Sequence, residues 1–424
     1  MAIKNRFKLT RQKPGANASG LLTRHSGLIV NGVAVAGKLV VGTCYTITSP
    51  DMLAALGITP AYDSANKCLV HYHISEFYRG AIPGTELYFM LVPLTITPDT
   101  VLEDLTGIYA KKLLLYANGV IRNLAIAYNP DVDGVGFVES LVDGFSAKVR
   151  LAIPAGKILR VWADERNMDI AILLEGRKYG DSSAAAVSLR NIIIAGDVQS
   201  YEGIAVVIGQ DYAFADALVW PSGKFHAAVG TALGTLAGIA MEQDMGEVET
   251  LNITDAVLGK FVTSGLSSHK TLLESETQLD NLDDKGYLFP IKYVNISGHR
   301  WNGDHACAPV IIDDQGVMNE FKLSYTRTMN ECKRSLYDKL VPKVRTTHQV
   351  DATTGKLPLA KIKHFEALGD EAMAKLSGVS GAKTTVDPNS DLFTPPQQLD
   401  VTFQVVPFGT IGTINGLIAL KTSL

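Results

Sequence analysis

The hydrophobic positions of this 424-residue chain fall into two kinds of stretch. Short unbroken apolar runs at 87–92, 123–128, 169–174 and 205–208 have the length and bounds of buried strands. Residues 27–41, rich in β-branched side chains and glycine, read as strands joined by tight turns. Residues 287–296 form another strand-like run after the turn-forming Asp283-Asp284-Lys285-Gly286. Between the runs lie segments of helical spacing. Pro98 and Asp99 open one that ends at Gly119, with Asp99 as the cap for its free amides and Lys111 and Lys112 in its later turns. A helix at about 138–152 leads through Pro154 into a second periodic stretch, 157–165. Residues 225–241 carry small side chains along much of their length, the mark of a helix packed closely on several sides. Residues 317–340 and 357–376 are further amphipathic helices. The order strand, helix, strand favours parallel crossovers. The expected fold is therefore α/β: a mainly parallel or mixed sheet core flanked by helices, with β-strand arms at both termini.

Composition narrows the class. Hydrophobic residues make up 46%, charged residues 19%, and the mean hydropathy is +0.13. That is slightly apolar for a protein that lives alone in water, and the surplus suits burial against partners. A net charge of −4, with 39 basic and 43 acidic residues, gives no electrostatic case for nucleic acid. Cys44, Cys68, Cys307 and Cys332 are scattered without a CxxC pair, the usage of a reducing compartment or of a protein without disulfides. The basic N-terminus has no apolar core of a secretory signal, and no run of 18 apolar residues exists. The expectation is a protein made in the cytoplasm, without direct membrane insertion.

Candidate chemistry is sparse. His299, Asp304, His305 and Cys307 lie within nine residues and are of the types that ligate zinc, although their spacing matches no common ligand pattern. On that loop rests the alternative of a metal-dependent hydrolase using His299, Asp304 and His305. Cys68 with His71 and His73 is a second candidate, since residues 71 and 73 would share one face of a strand. No GxSxG elbow or GxxxxGK[ST] loop occurs, and the glycines at 32 and 37 miss the dinucleotide spacing. Asp283-Asp284 and Asp313-Asp314 adjoin glycines as turns do. The expectation is a chain that is not an enzyme, with no catalytic, cofactor-binding or metal-binding residue.

The termini carry more information. Residues 1–20 are polar and read as an arm, 21–390 as the core, with room for a smaller inserted domain in the middle third, and 391–424 as a C-terminal β arm. In that arm 399–406 and 413–420 alternate as two strands of a hairpin. An isolated hairpin is marginal in water, so it needs a partner sheet, its own or a neighbour's.

Three segments resemble the contractile sheath family of phage tails and phage-tail-like injection systems: PPQQLDVTFQVVPFGTIGTINGLIAL at the C-terminus; 257–340, with GYLFPIKYVNISG and LYDKLVP; and N-terminal GLIVNGV after a polar arm. The resemblance is most specific over the last 170 residues or so. It implies a structural subunit that polymerises around an inner tube and contracts to drive it through a target envelope. It implies stacked hexameric rings, an inner tube protein, and baseplate and tail-terminator proteins as partners. Arms crossing into neighbouring subunits would put Phe7, Leu9, Val401, Phe403, Val405, Leu417, Ile418 and Leu420 in inter-subunit contacts; pairing within the chain is the alternative. The chain would be made in the bacterial cytoplasm and assembled into a phage tail or phage-tail-like particle. A baseplate component of the same machine is the neighbouring reading.

Overall fold

A computed structural model describes residues 24–131, 139–194 and 196–416. Its centre is a six-stranded sheet. Five strands run parallel: β1 (Ser26–Asn31), β3 (Leu87–Val92), β4 (Asn123–Ala127), β5 (Ala171–Glu175) and β6 (Ile204–Val207). The order across the sheet is β6-β5-β4-β1-β3-β2, and β2 (Cys44–Ile47) closes one edge antiparallel to β3. Five helices organise the rest: α1 (Val70–Gly80), α2 (Ala147–Asp164), α3 (Val229–Gly238), α4 (Leu323–Leu340) and α5 (Leu359–Ala374). None is long and apolar enough to cross a membrane.

The apolar runs form central strands because both faces of the sheet are covered. Alternate residues serve opposite sides. Ile29, Met90, Leu124 and Ile172 pack beneath α2, while Leu28, Phe89, Ala125 and Leu173 pack beneath α1 and α3. Small residues on the α3 side, Ala125, Ala127, Ala171 and Ala205, let that helix lie close to the strands. A third apolar cluster stands apart. The end of α4 (Leu336, Leu340), α5 (Ile362, Phe365, Met373) and a two-stranded sheet make a C-terminal subdomain. Its strands are β7 (Val379–Val386) and β8 (Val401–Pro407), paired antiparallel.

The structure departs from the sequence pattern at definite places. The expected helix from 98 to 119 is two short ones, Pro98–Glu103 and Ala110–Tyr116. Asp104 between them is left-handed (φ 41°), and its carboxylate accepts the backbone N–H groups of Ile108, Tyr109 and Lys111. One aspartate thus ends the first helix and caps the second. Thr97, not Asp99, is the residue at the first helix's N-cap. Pro154, by contrast, does not divide its helix, and α2 is continuous through it. The lost amide bond costs about 3 kcal/mol, which burial of Val149, Ile153 and Leu159 offsets at about 1.5–3 kcal/mol each. Residues 139–146 are not part of that helix; 141–146 form a small hairpin before it. The run 287–296 yields only Pro290–Ile291, paired with Arg300–Trp301. β8 pairs with β7, which precedes it, and 413–416 have no secondary structure; the rest of the second strand expected at 413–420 lies outside the described residues.

Candidate functional site

The doubly wound order places a topological switch point at β1 and β4, the crevice where such sheets commonly hold ligands. Here the chain's own side chains occupy it. Asn129 donates its backbone N–H to Asn31 Oδ1 (3.2 Å) and its amide to the Asn31 carbonyl (2.9 Å). Next to them Glu175, at the end of β5, accepts the N–H groups of Tyr128 (2.6 Å) and Ala227 (3.0 Å). Burial pushes its carboxyl up to about 7, against the pull of Arg177 3.8 Å away. Arg177, itself fully buried, also donates to Glu139 (3.0 Å) and to the Ser222 carbonyl. Each of these groups is spent on a neighbour.

The loop at 299–307 is likewise structural. His299 Nδ1 lies 2.9 Å from the Phe261 carbonyl and 3.1 Å from Thr254 Oγ1. Asp304 accepts the Ser324 N–H (2.8 Å) and so caps the start of α4 from outside. Burial works to raise its carboxyl, but Lys322 at 3.3 Å and the hydrogen bonds it accepts hold it below the usual range. Both ring nitrogens of His305 are engaged, Nε2 with Asp283 (2.8 Å) and Nδ1 with Arg190 (2.8 Å). Burial pushes the Cys307 thiol up to about 12. The three hydrolase candidates thus serve three different neighbours.

Cys68, His71 and His73 do not lie on a strand. Cys68 precedes α1, and the two histidines are in it, where residues two apart point about 200° from one another. His73 is fully buried and its Nδ1 faces the Gly230 N–H at 3.4 Å, while Asp63 accepts the N–H groups of His71 and Tyr72. The Asp313 side chain closes a turn onto Gln315 and Val317. Among the described residues no three His, Cys, Asp or Glu side chains gather as a metal site.

What remains is the C-terminal subdomain. Val401, Phe403 and Val405 alternate along β8 and pack, half-buried, on the α5 side, leaving Thr402, Gln404 and Val406 exposed. Phe7, Leu9, Leu417, Ile418 and Leu420 lie outside the described residues. The two edges of the small sheet differ. On β7, Asp370 of α5 accepts the Thr384 N–H (2.7 Å) and Glu366 accepts that of Val386 (3.3 Å). Among the described residues no side chain accepts a hydrogen bond from β8's backbone in this way, so β8 is the receptive edge. From 408 to 416 the chain has no secondary structure, and Phe408, Ile411 and Ile414 are exposed. A groove of about 280 Å³ opens between the end of α5 and the start of β7, lined by Ala374, Leu376, Val379 and Gly381. The alternation of 399–406 marked the strand. The carboxylates that block the opposite edge had no sequence signal, because 14 and 20 residues separate them from the amides they cap.

Phe403 anchors β8, its ring against Gly369 of α5. Phe403→Ala is expected to cost the subdomain about 1–3 kcal/mol, less than a fully buried phenylalanine would. In limited proteolysis the variant should be cut within 387–416 well before the central sheet is attacked; unchanged cutting would assign β8's anchorage elsewhere.

The fold is similar to that of contractile sheath chains of known structure. The chain is similar over its whole length to the helical sheath of the anti-feeding prophage in its contracted state (TM-score 0.55, 13% identity, 99% of that chain covered). It is similar to a chain of the same prophage's baseplate (TM-score 0.54, 13% identity, all of both chains). It is also similar to the contracted sheath complex of the extracellular contractile injection system PVC (TM-score 0.53, 10% identity, 100% and 98% covered). Residues 17–305 match the family described as DUF2586, N-terminal domain, and the chain belongs to that family. No curated protein sequence matches it.

Proposed function

We propose that this chain is the structural subunit of a contractile sheath, polymerising around an inner tube and contracting to drive it through a target envelope. The observation that carries the reading is the small C-terminal sheet, with one edge blocked by its own carboxylates and the other, β8, left receptive beside an exposed apolar tail. A strand from a neighbouring copy added there would gain main-chain hydrogen bonds without new pockets. Because Val401, Phe403 and Val405 face α5, they hold β8 in place for that contact, while the strand's backbone edge meets the neighbour. The polar arm at 1–20 and the residues beyond 416, with Phe7, Leu9, Leu417, Ile418 and Leu420, are the segments proposed to cross between copies. Stacked hexameric rings are the proposed assembly, with an inner tube, baseplate and tail-terminator proteins as partners and the bacterial cytoplasm as the place of assembly. Function then lies in interfaces, and no residue performs catalysis.

Negative-stain electron microscopy of the full chain at rising concentration tests this. Hollow tubes or stacked rings are the expected result; single particles at every concentration would sink it. Deleting residues 1–20 should leave a soluble protein with an unchanged melting curve that no longer polymerises. The similarity to a baseplate chain favours a second reading, a baseplate component. It expects closed rings of fixed size and never long tubes.

A further inference from the structure

We propose that the acidic helix Glu276–Asp284 of one copy docks on a basic patch in the C-terminal subdomain of a second copy. This inference rests on the reading of the chain as self-assembling.

The helix reads ETQLDNLDD and contains no basic residue. Its inner side is satisfied: Leu282 is in the core, and Gln278 binds the Tyr179 hydroxyl and the Ser183 N–H. Its outer ridge is Glu276, Asp280 and Asp284, all exposed, at the spacing that stacks side chains on one helical face. Among the described residues none of the three has an ion pair. The nearest lysine in sequence, Lys285, turns its ammonium inward to the carbonyls of Ser183 and Ala186 (2.6 Å each). Like charges four apart cost a few tenths of a kcal/mol each, and acids near a helix C-terminus oppose its dipole. Glu276, in the first turn, suits the helix dipole, but Asp280 and Asp284 give the single chain no such gain, and a basic partner would neutralise the ridge.

The matching surface is in the same sequence. Residues 339–375 contain seven lysines and arginines against four acidic residues. Lys339 and Lys375 share Glu371, and Lys363 holds Glu366. Lys343, Arg345 and Lys361 are exposed and have no ion pair among the described residues. His364 and His348 sit on Phe365 (ring centroids 5.9 and 5.3 Å). Burial and then the charges of Lys361, His364 and Lys343 push the His348 imidazole below its usual range.

No ion pair joins the two patches within the chain among the described residues. They lie on different elements, so the ridge of one copy can meet the patch of the next head to tail, and a contact repeated in that way builds rings or open helices. A bare cluster of charges on either side would attract many things; the commitment to a second copy comes from the complementary ridge and patch in one chain. Screening within about 8 Å at physiological ionic strength makes the contact sensitive to salt.

The test is a charge swap in the full chain. One variant carries Glu276→Lys, Asp280→Lys and Asp284→Lys; the other carries Lys343→Glu, Arg345→Glu and Lys361→Glu. Each alone is expected to lower the assembled fraction about tenfold in sedimentation and electron microscopy. Mixed in equal amounts they should assemble again, since each reversed patch finds its reversed partner. If both variants assemble like the parent protein, the docking is overturned while the sheath reading stands. If neither the variants nor their mixture assembles, the patches face some other protein, which also overturns it. A parent protein that never assembles counts against the sheath reading itself. Should a reversal fail to fold, the neutral set Glu276→Gln, Asp280→Asn and Asp284→Asn replaces it. It should weaken assembly and flatten its salt dependence, and unchanged salt dependence would overturn the proposal.

Discussion

Arg177→Met is expected to lose about 3–5 kcal/mol of stability, the usual result of removing one partner from a buried ionic group. Arg177 is fully buried between Glu139 (3.0 Å) and Glu175 (3.8 Å), both nearly inaccessible, and it also donates to the Ser222 carbonyl. Methionine fills much of the space but leaves two carboxylates without their guanidinium. That loss is a large share of the roughly 5–15 kcal/mol that keeps a domain folded. Arg177→Lys should recover little, because an ammonium cannot serve both acids and the carbonyl with the guanidinium's planar fork. The deficit should also depend on pH. The Glu175 carboxyl titrates at about 7 in the folded protein against 4.5 for the free group. A raised carboxyl contributes stability that is fully present below about 4.5 and is lost as pH rises through 7. Without Arg177 burial is less opposed, and the carboxyl moves higher still. Urea unfolding should therefore show a larger deficit for the variant at pH 8 than at pH 5.5. Equal deficits at both would mean that packing, not charge, was lost.

Gly234→Ala is the second large effect. Gly230, Gly234 and Gly238 recur every four residues along α3 and face the backbone of α1. A Cβ at these positions would lie 2.3, 2.4 and 2.3 Å from the carbonyl oxygens of His73, Phe77 and Gly80. Two effects compete. Alanine in place of a helical glycine gains about 1 kcal/mol of propensity, while overpacking a tight interior costs about 1–3 kcal/mol or more. The clash wins, because the atoms met are backbone of a neighbouring helix and cannot rotate aside. We expect a net loss of about 1–2 kcal/mol for Gly234→Ala, and no soluble protein for Gly234→Val. Gly381→Ala is the control, since a Cβ there meets nothing within 4 Å. If Gly234→Ala melts at or above the parent temperature, α1 and α3 can separate at little cost.

The small residues at 225–241 thus announced a close approach, but not which helix approaches, since the contacts join residues some 155 positions apart. The candidate site shows the same division. Alternation at 399–406 identified β8 as a strand, but the expectation for Val401, Phe403 and Val405 was contact between subunits, and only the fold shows them packed on α5 of their own chain. The alternation did not identify β7 as partner, because 379–386 (VSGAKTTV) has few large apolar residues and gains its place from α5 beneath it. The histidine-rich loop looked like metal chemistry because its residues are neighbours in sequence. The fold sends His299, Asp304 and His305 to Phe261, Ser324 and Asp283 instead.

The sequence by itself determined the α/β class, the central strands, the amphipathic helices and the strand nature of the C-terminal segment. Each follows from local period and turn chemistry: strands buried on both faces read as unbroken apolar runs, and helices show their stripe. Tertiary structure alone decided the order β6-β5-β4-β1-β3-β2, the continuity of α2 through Pro154, the break at Asp104 and the receptive edge at β8. Those depend on which distant groups meet. A proline is tolerated where burial outweighs its cost, and a strand edge is closed only where another element brings carboxylates to its amides.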